Sequence, residues 1–166
     1  MLELKDIHKY YNPGTVNEMC LFHGFNLSIE EGEFVSVIGS NGSGKTSMLN
    51  IICGSIPVEA GQIFMNGSDI TKEKEYKRNR RIGRVYQNPA KGTCPSMTIL
   101  ENMALADNKG KEYGFGRGTN KARISYYKEL LSQLGLGLAD KLDIKVGALS
   151  GGQRQAMALL MSTMTP

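Results

Sequence analysis

The chain has 166 residues, 40% apolar and 22% charged, the balance of an ordinary globular protein with one domain and a real core. No apolar run approaches the ~18 residues that span a bilayer, and Met1 leads straight into Leu2-Glu3-Leu4-Lys5 with no signal-peptide pattern. The net charge of +4 is mild, and Cys20, Cys53 and Cys94 are spaced too widely for a zinc cluster or a redox pair, so they read as reduced thiols.

Leu2 to Ile7 alternates apolar and polar residues with period two and predicts a strand with one buried face, as does Phe25 to Ile29. After the Glu31-Gly32-Glu33 turn, Phe34-Val35-Ser36-Val37-Ile38 is a β-branched run of the kind buried inside a sheet. It enters a glycine-rich segment. Met48, Leu49, Ile51 and Ile52 then recur at helical spacing until Gly54 and Pro57 end the helix. Gly61 to Gly67 predicts a strand and turn, and Ile82 to Gln87 a further strand. Lys77-Arg78-Asn79-Arg80-Arg81 is the densest basic run and reads as a solvated face rather than a nucleic-acid patch. From Pro95 to Asp143 the pattern turns helical. Met97 to Ala106 is one candidate. Lys121 to Leu134 is another, with Ile124, Tyr127, Leu131 and Leu134 on one stripe. Asn108 to Asn120 predicts a mobile Gly- and Lys-rich loop. His8 and His23 show no carboxylate or cysteine at metal spacing and read as structural.

Gly39-Ser40-Asn41-Gly42-Ser43-Gly44-Lys45-Thr46 is a G-x-x-x-x-G-K-T phosphate loop between a predicted strand and a predicted helix. Gly39, Gly42 and Gly44 let successive N–H groups point inward, with Asn41 and Ser43 between them, and the following helix adds its positive end. Lys45 would place an ammonium on the terminal phosphates, Thr46 a hydroxyl on Mg²⁺, and Ser47 a hydroxyl on an inner phosphate. Further on, Leu149-Ser150-Gly151-Gly152-Gln153 opens a helix, with Ser150 as N-cap and Gln153 completing a capping box. A cap does not explain Gly151 and Gly152, which cost about 1 kcal/mol each in helix propensity. The bare helix end they leave is an anion site.

The phosphate loop and the LSGGQ segment together resemble the ATP-binding subunit of ABC transporters. The resemblance covers Leu2 to Pro166. Lys141 to Ala148 and Leu159-Leu160-Met161 look like importers paired with a tryptophan/tyrosine-type binding protein. The implied fold is α/β: a P-loop NTPase core with an incomplete parallel sheet, an N-terminal antiparallel β part and a helical subdomain. Residues 1–33 and 60–75 would form the β part, 34–59 and 76–94 the nucleotide core, 95–149 the helical subdomain and 150–166 the signature helix of one ABC ATP-binding domain. The resemblance implies ATP and Mg²⁺ as ligands. Tyr11 would be the adenine platform, with Tyr10 as the alternative. Gln87 would position Mg²⁺ and the attacking water. Ser150, Gly151, Gly152 and Gln153 would act in trans on ATP held by a second subunit in a head-to-tail dimer.

The implied function is an importer subunit that couples ATP binding and hydrolysis to transport. It would dock on transmembrane permease subunits, with Asn88 to Asn102 and the helical segment facing them, at the inner face of the plasma membrane. An amino-acid-type substrate-binding protein would join the complex, and no nucleic acid is expected. The alternatives are a soluble ABC ATPase outside transport, or a nucleotide-binding fragment without catalysis. The family's Walker B strand with its Asp-Glu end and its switch histidine match nothing between Gln153 and Pro166. The domain is therefore expected to be C-terminally incomplete here, with the parent an ATPase, and this chain lacking a general base and inactive.

Overall fold

The computed structural model describes residues 1–112 and 118–164, so the middle of the loop expected at 108–120 and the last two residues lie outside the described residues. Two compact units divide the chain, Met1–Asn79 and Arg80–Pro166.

The first unit is built on strands β1 (Leu2–Tyr11), β2 (Met19–Ile29), β3 (Ala60–Met65) and β4 (Ser68–Asp69), in the antiparallel order β2-β1-β3-β4. Leu4 pairs with Leu27 on one side and Ile63 on the other, which fixes the buried face. The period-two expectation for β1 fails at Asp6. The register slips between Leu4 and Ile7, Asp6 takes a positive φ of 51°, and its N–H is met by the Asn26 Oδ1 at 2.9 Å. This bulge turns Ile7 inward beside Leu4 and points Asp6 outward, as an extra residue in one strand must. It also gives His8 a carboxylate after all, with Nε2 lying 3.0 Å from Asp6 Oδ1.

Helix α1 (Lys45–Cys53) follows the glycine-rich segment and buries Met48, Ile51, Ile52 and Cys53. Leu49, expected on the same stripe, is exposed. A short helix α2 (Glu75–Arg78) ends the unit. Its Arg78 is only 3% exposed and departs from the solvated face expected of the 77–81 run, while Lys77, Arg80 and Arg81 are exposed.

The strands expected at Phe34–Ile38 and Ile82–Gln87 do not form. Buried parallel strands need a hydrogen-bonded neighbour and covered faces. The described residues provide no such neighbour, and Phe34 and Ile38 stand 94% and 92% exposed.

The second unit is helical. A 3-10 turn at Pro89–Lys91 precedes α3 (Ile99–Asp107), and a 3-10 turn at Lys121–Arg123 leads into α4 (Ile124–Ser132). A third turn at Val146–Ala148 precedes α5 (Gly151–Thr163). Ile99, Met103, Tyr127, Leu131, Leu138, Val146 and Met157 form one core, with Ile124 and Leu134 packed against it. The predicted stripe on α4 is thus the one that the fold buries. Among the described residues no helix is long and apolar enough to cross a membrane.

Candidate nucleotide site

Among the described residues four helices are longer than one turn; α4 continues the 3-10 turn at Lys121–Arg123, whose Asn120 Oδ1 accepts the Ala122 N–H, and the other three starts are finished differently. Helix α3 starts with a capping box: Thr98 Oγ1 accepts from the Glu101 N–H at 3.2 Å, and Glu101 Oε2 accepts from the Thr98 N–H at 2.7 Å. Those hydrogen bonds from Thr98 hold the Glu101 carboxyl below its ordinary range, so this end already carries its own negative charge. Helix α1 is the opposite case. Its N-cap is Gly44, with φ 89° and no side-chain cap, and no acidic residue lies in its first turn. The orphan N–H groups of a helix start must find partners outside the helix. Here the end is bare, positive and unguarded, as an anion site requires.

The phosphate loop wraps that end. Residues 39–43 are exposed, and the Ser43 N–H donates to the Ser40 carbonyl at 3.2 Å to close the turn. The Lys45 ammonium lies over the loop, donating to the carbonyls of Gly39 at 2.8 Å and Ser40 at 2.7 Å. These are neutral acceptors, so an arriving phosphate oxygen would replace them with a charge-assisted bond. Thr46 is exposed in the first turn, where its hydroxyl can reach a cation held by the same phosphates. The loop edges a cleft of about 430 Å³ walled by Phe22, Phe25, Val37 and Met48. A larger cleft, about 780 Å³, lies over β3, β4 and α2. It sets Lys72, Lys74 and Lys77 against Asp69 and Glu73, and the one helix that starts on it, the four-residue α2, carries Glu75 in its first turn. The larger cleft is thus lined by charges of both signs, whereas the smaller one borders the uncapped start of α1.

Of the two tyrosines, the fold brings Tyr11 to the phosphate-loop helix, its hydroxyl 3.3 Å from Ser47 Oγ. The half-turn between adjacent strand residues sends Tyr10 elsewhere, to Nδ1 of His23 at 2.8 Å. Lys9 shares the Tyr11 face, 5.5 Å from the ring centroid and 2.7 Å from Glu59 Oε1. Gln87 is exposed at the bend after residues 82–86, next to Asn88, whose Oδ1 accepts the Ala90 N–H at 3.0 Å.

The Ser150 capping box forms as expected. The Ser150 N–H donates to Gln153 Oε1 at 3.1 Å, and the Gln153 N–H donates to Ser150 Oγ at 3.3 Å. Unlike α3, this box is closed by a neutral amide, and no acidic residue sits in the first turn of α5. A Cβ added at Gly151 or Gly152 would meet nothing within 4 Å. Crowding within the described residues therefore gives no reason for two glycines at a cost to helix propensity.

Two groups of residues with clear roles were missed from the sequence. Asn102, 1% exposed, accepts the Cys94 N–H at 2.7 Å and donates to the carbonyls of Cys94 and Thr98, pinning the segment after Gln87. Asp107 accepts from Arg123 Nε at 2.8 Å and Nη2 at 2.7 Å and from the Tyr127 hydroxyl at 2.8 Å. The Arg123 hydrogen bond holds the Asp107 carboxyl below its usual range, while burial pushes the Tyr127 phenol up to about 12.

The chain is similar to known proteins in sequence and in fold. The profile of the family described as ABC transporter matches residues 22–166. A tyrosine transport ATP-binding protein of Clostridioides difficile is 44% identical over 164 residues, covering 99% of this chain and 65% of the relative. The ATP-binding protein LolD of the lipoprotein-releasing system of Acinetobacter baylyi is 34% identical over 163 residues, covering 96% and 67%. A dimeric ATP-binding cassette solved in a post-hydrolysis state with ADP and Pi superposes with a TM-score of 0.79 at 30% identity, covering 99% of this chain and 69% of that one. The chain thus spans about two thirds of the length of these relatives, and the antiparallel β part with its helices matches the cassette fold.

Proposed function

The chain belongs to the ABC transporter family, and from that premise we propose that it is the ATP-binding subunit of a membrane importer, coupling ATP binding and hydrolysis to transport. The observation that carries the reading is the bare, uncapped start of α1, wrapped by the phosphate loop with Lys45 above it. The phosphates of ATP take the N–H groups around Gly42 and Gly44 and the Lys45 ammonium. The Thr46 hydroxyl holds Mg²⁺, which supplies charge neutralisation on the phosphates when bound. Ser47 meets an inner phosphate and Tyr11 stacks on adenine, in keeping with its place beside Ser47.

The uncharged Ser150 end of α5, with open space beside Gly151 and Gly152, suits a γ-phosphate presented by a second copy in a head-to-tail dimer. The dimer reading is supported by the dimeric cassette. The partners are permease subunits on the cytoplasmic side of the membrane, meeting the protein around 88–102, and a substrate-binding protein of the amino-acid type. The name of the 44% identical relative supports an aromatic amino acid as cargo.

Residues 1–166 alone bind ATP without turning it over. Hydrolysis needs a carboxylate to orient or deprotonate water. The nearest acidic residues after Gln87 are already engaged, Glu101 in a capping box and Asp107 with Arg123 and Tyr127. Calorimetric titration of Mg-ATP tests the site. Lys45→Ala removes a charge-assisted contact of roughly 1.5–3 kcal/mol, so affinity should fall by at least about tenfold. Unchanged affinity would move the site elsewhere. Steady phosphate release from residues 1–166, lost in Lys45→Ala, would defeat the claim of inactivity.

A further inference from the structure

Resting on that nucleotide-site reading, we infer that Arg78 is the positioning residue of the site. It anchors the far end of α1 and thereby sets where the phosphate loop stands. The last carbonyls of a helix lack partners within it and gather partial negative charge. Helix α1 has no basic residue in its own last turn. Arg78 supplies the missing cation from α2. Its Nη1 donates to the carbonyls of Ile51 at 2.8 Å and Ile52 at 3.1 Å. The same guanidinium reaches the segment after β4, with Nη2 donating to the Thr71 carbonyl at 2.7 Å and Nε to the Glu73 carbonyl at 3.1 Å. One planar fork thus ties the phosphate-loop helix to the chain leaving the antiparallel sheet. A second tie runs from Ser55 Oγ to Glu75 Oε1 at 2.9 Å.

The chain makes room for this side chain. Gly54 caps α1 in the left-handed region at φ 84°, and a Cβ there would lie 3.0 to 3.2 Å from the Nε, Cδ and Cζ of Arg78. The conformation and the space both select glycine at this position. A nine-residue helix is a stiff rod about 13 Å long. A tilt at the Arg78 end therefore displaces Lys45 and Thr46 at the other. Lysine cannot replace the fork, because a single ammonium does not span four carbonyls lying in two directions.

The role separates from simple stabilisation by ligand. A positioning residue alters phosphate binding and spares the adenine platform, which sits on β1. Affinities for Mg-ATP and for adenosine are measured on the intact protein, well below the melting temperature of each variant. Losing the alignment of one charge-assisted contact to phosphate costs at least about tenfold in affinity. Arg78→Met should weaken Mg-ATP by at least about tenfold and adenosine by less than roughly twofold, with Arg78→Lys recovering only part. If Arg78→Met does not fold, Arg78→Lys and Gly54→Ala decide by the same ratio. Equal losses for both ligands, or Mg-ATP binding within roughly twofold of wild type, overturn the inference. Wild type that fails to bind Mg-ATP, or Lys45→Ala that binds it unchanged, would instead defeat the nucleotide-site reading on which the inference stands.

Discussion

Replacing Asp107 with asparagine should unfasten the helical unit in a pH-dependent way. Asp107 is 6% exposed and accepts two hydrogen bonds from Arg123 and one from Tyr127, all between 2.7 and 2.8 Å. The amide keeps the shape, removes the charge and turns N–H groups toward one of these donors. Breaking a buried ion pair on one side costs about 3–5 kcal/mol. The Arg123 side chain is 40% exposed and can turn to water, which lowers that figure. The Tyr127 hydroxyl, with its ring buried, cannot, and a hydrogen bond to a charged group is worth about 1.5–3 kcal/mol. The expected cost is about 2–3 kcal/mol, a fall in Tm of roughly 4–12 °C for a chain of this size. The sign of the pH effect follows from the lowered folded-state pKa of Asp107. Its stabilisation is fully present above the unfolded value of about 3.9 and is lost as pH falls through the lower folded value. Thermal melts followed by circular dichroism should therefore show a gap between wild type and Asp107→Asn that is constant near neutrality and narrows below about pH 4. A fall in Tm under roughly 1 °C at pH 7, or a gap that persists unchanged in acid, would refute the reasoning.

The other predictions concern neighbouring parts of the same frame. Tyr127 should ionise only near pH 12, well above the ordinary phenol, so its stabilising share is intact below about pH 10 and lost as pH rises through about 12. An absorbance titration of wild type against Tyr127→Phe reads this directly, and a difference appearing near pH 10 would contradict it. Gly44→Ala places a Cβ 3.0 Å from Leu21 Cδ1 on a residue at φ 89°, so Mg-ATP affinity should drop; affinity equal to wild type would mean that the N-cap geometry is not what holds the phosphates. Ser150→Ala should cost about 1 kcal/mol and speed amide exchange at Gln153. Unaltered exchange there would show that the capping box is not what fastens the start of α5.

The phosphate loop and the LSGGQ helix start were legible in the sequence because each is a local device. Gly44, Lys45, Ser150 and Gln153 act on backbone groups within a few residues, so spacing alone reveals them. The α4 stripe of Ile124, Tyr127, Leu131 and Leu134 was legible because a helix repeats its buried face at fixed spacing. What failed depended on partners far away in the chain. Phe34–Ile38 and Ile82–Gln87 have strand composition, but a strand exists only with a neighbour, and none of the described residues supplies one. Arg78 looked solvated amid four other polar residues, and only the fold brings Ile51, Ile52, Thr71 and Glu73 carbonyls to it. Asp107 pairs with residues 16 and 20 positions later, a spacing that no helical period announces. The bulge at Asp6 hid the His8 carboxylate contact behind an apparently regular strand.

The central claim is that the bare end of α1 and its glycine loop receive the phosphates of ATP. Backbone amide NMR of the isotopically labelled protein during titration with Mg-ATP measures this residue by residue. The account predicts that the largest shifts, saturating together, fall on Gly42, Gly44, Lys45 and Thr46, and that Lys45→Ala suppresses them. Shifts concentrated instead on Lys72, Lys74 and Lys77 around the larger cleft, with the phosphate-loop amides unmoved, would contradict it.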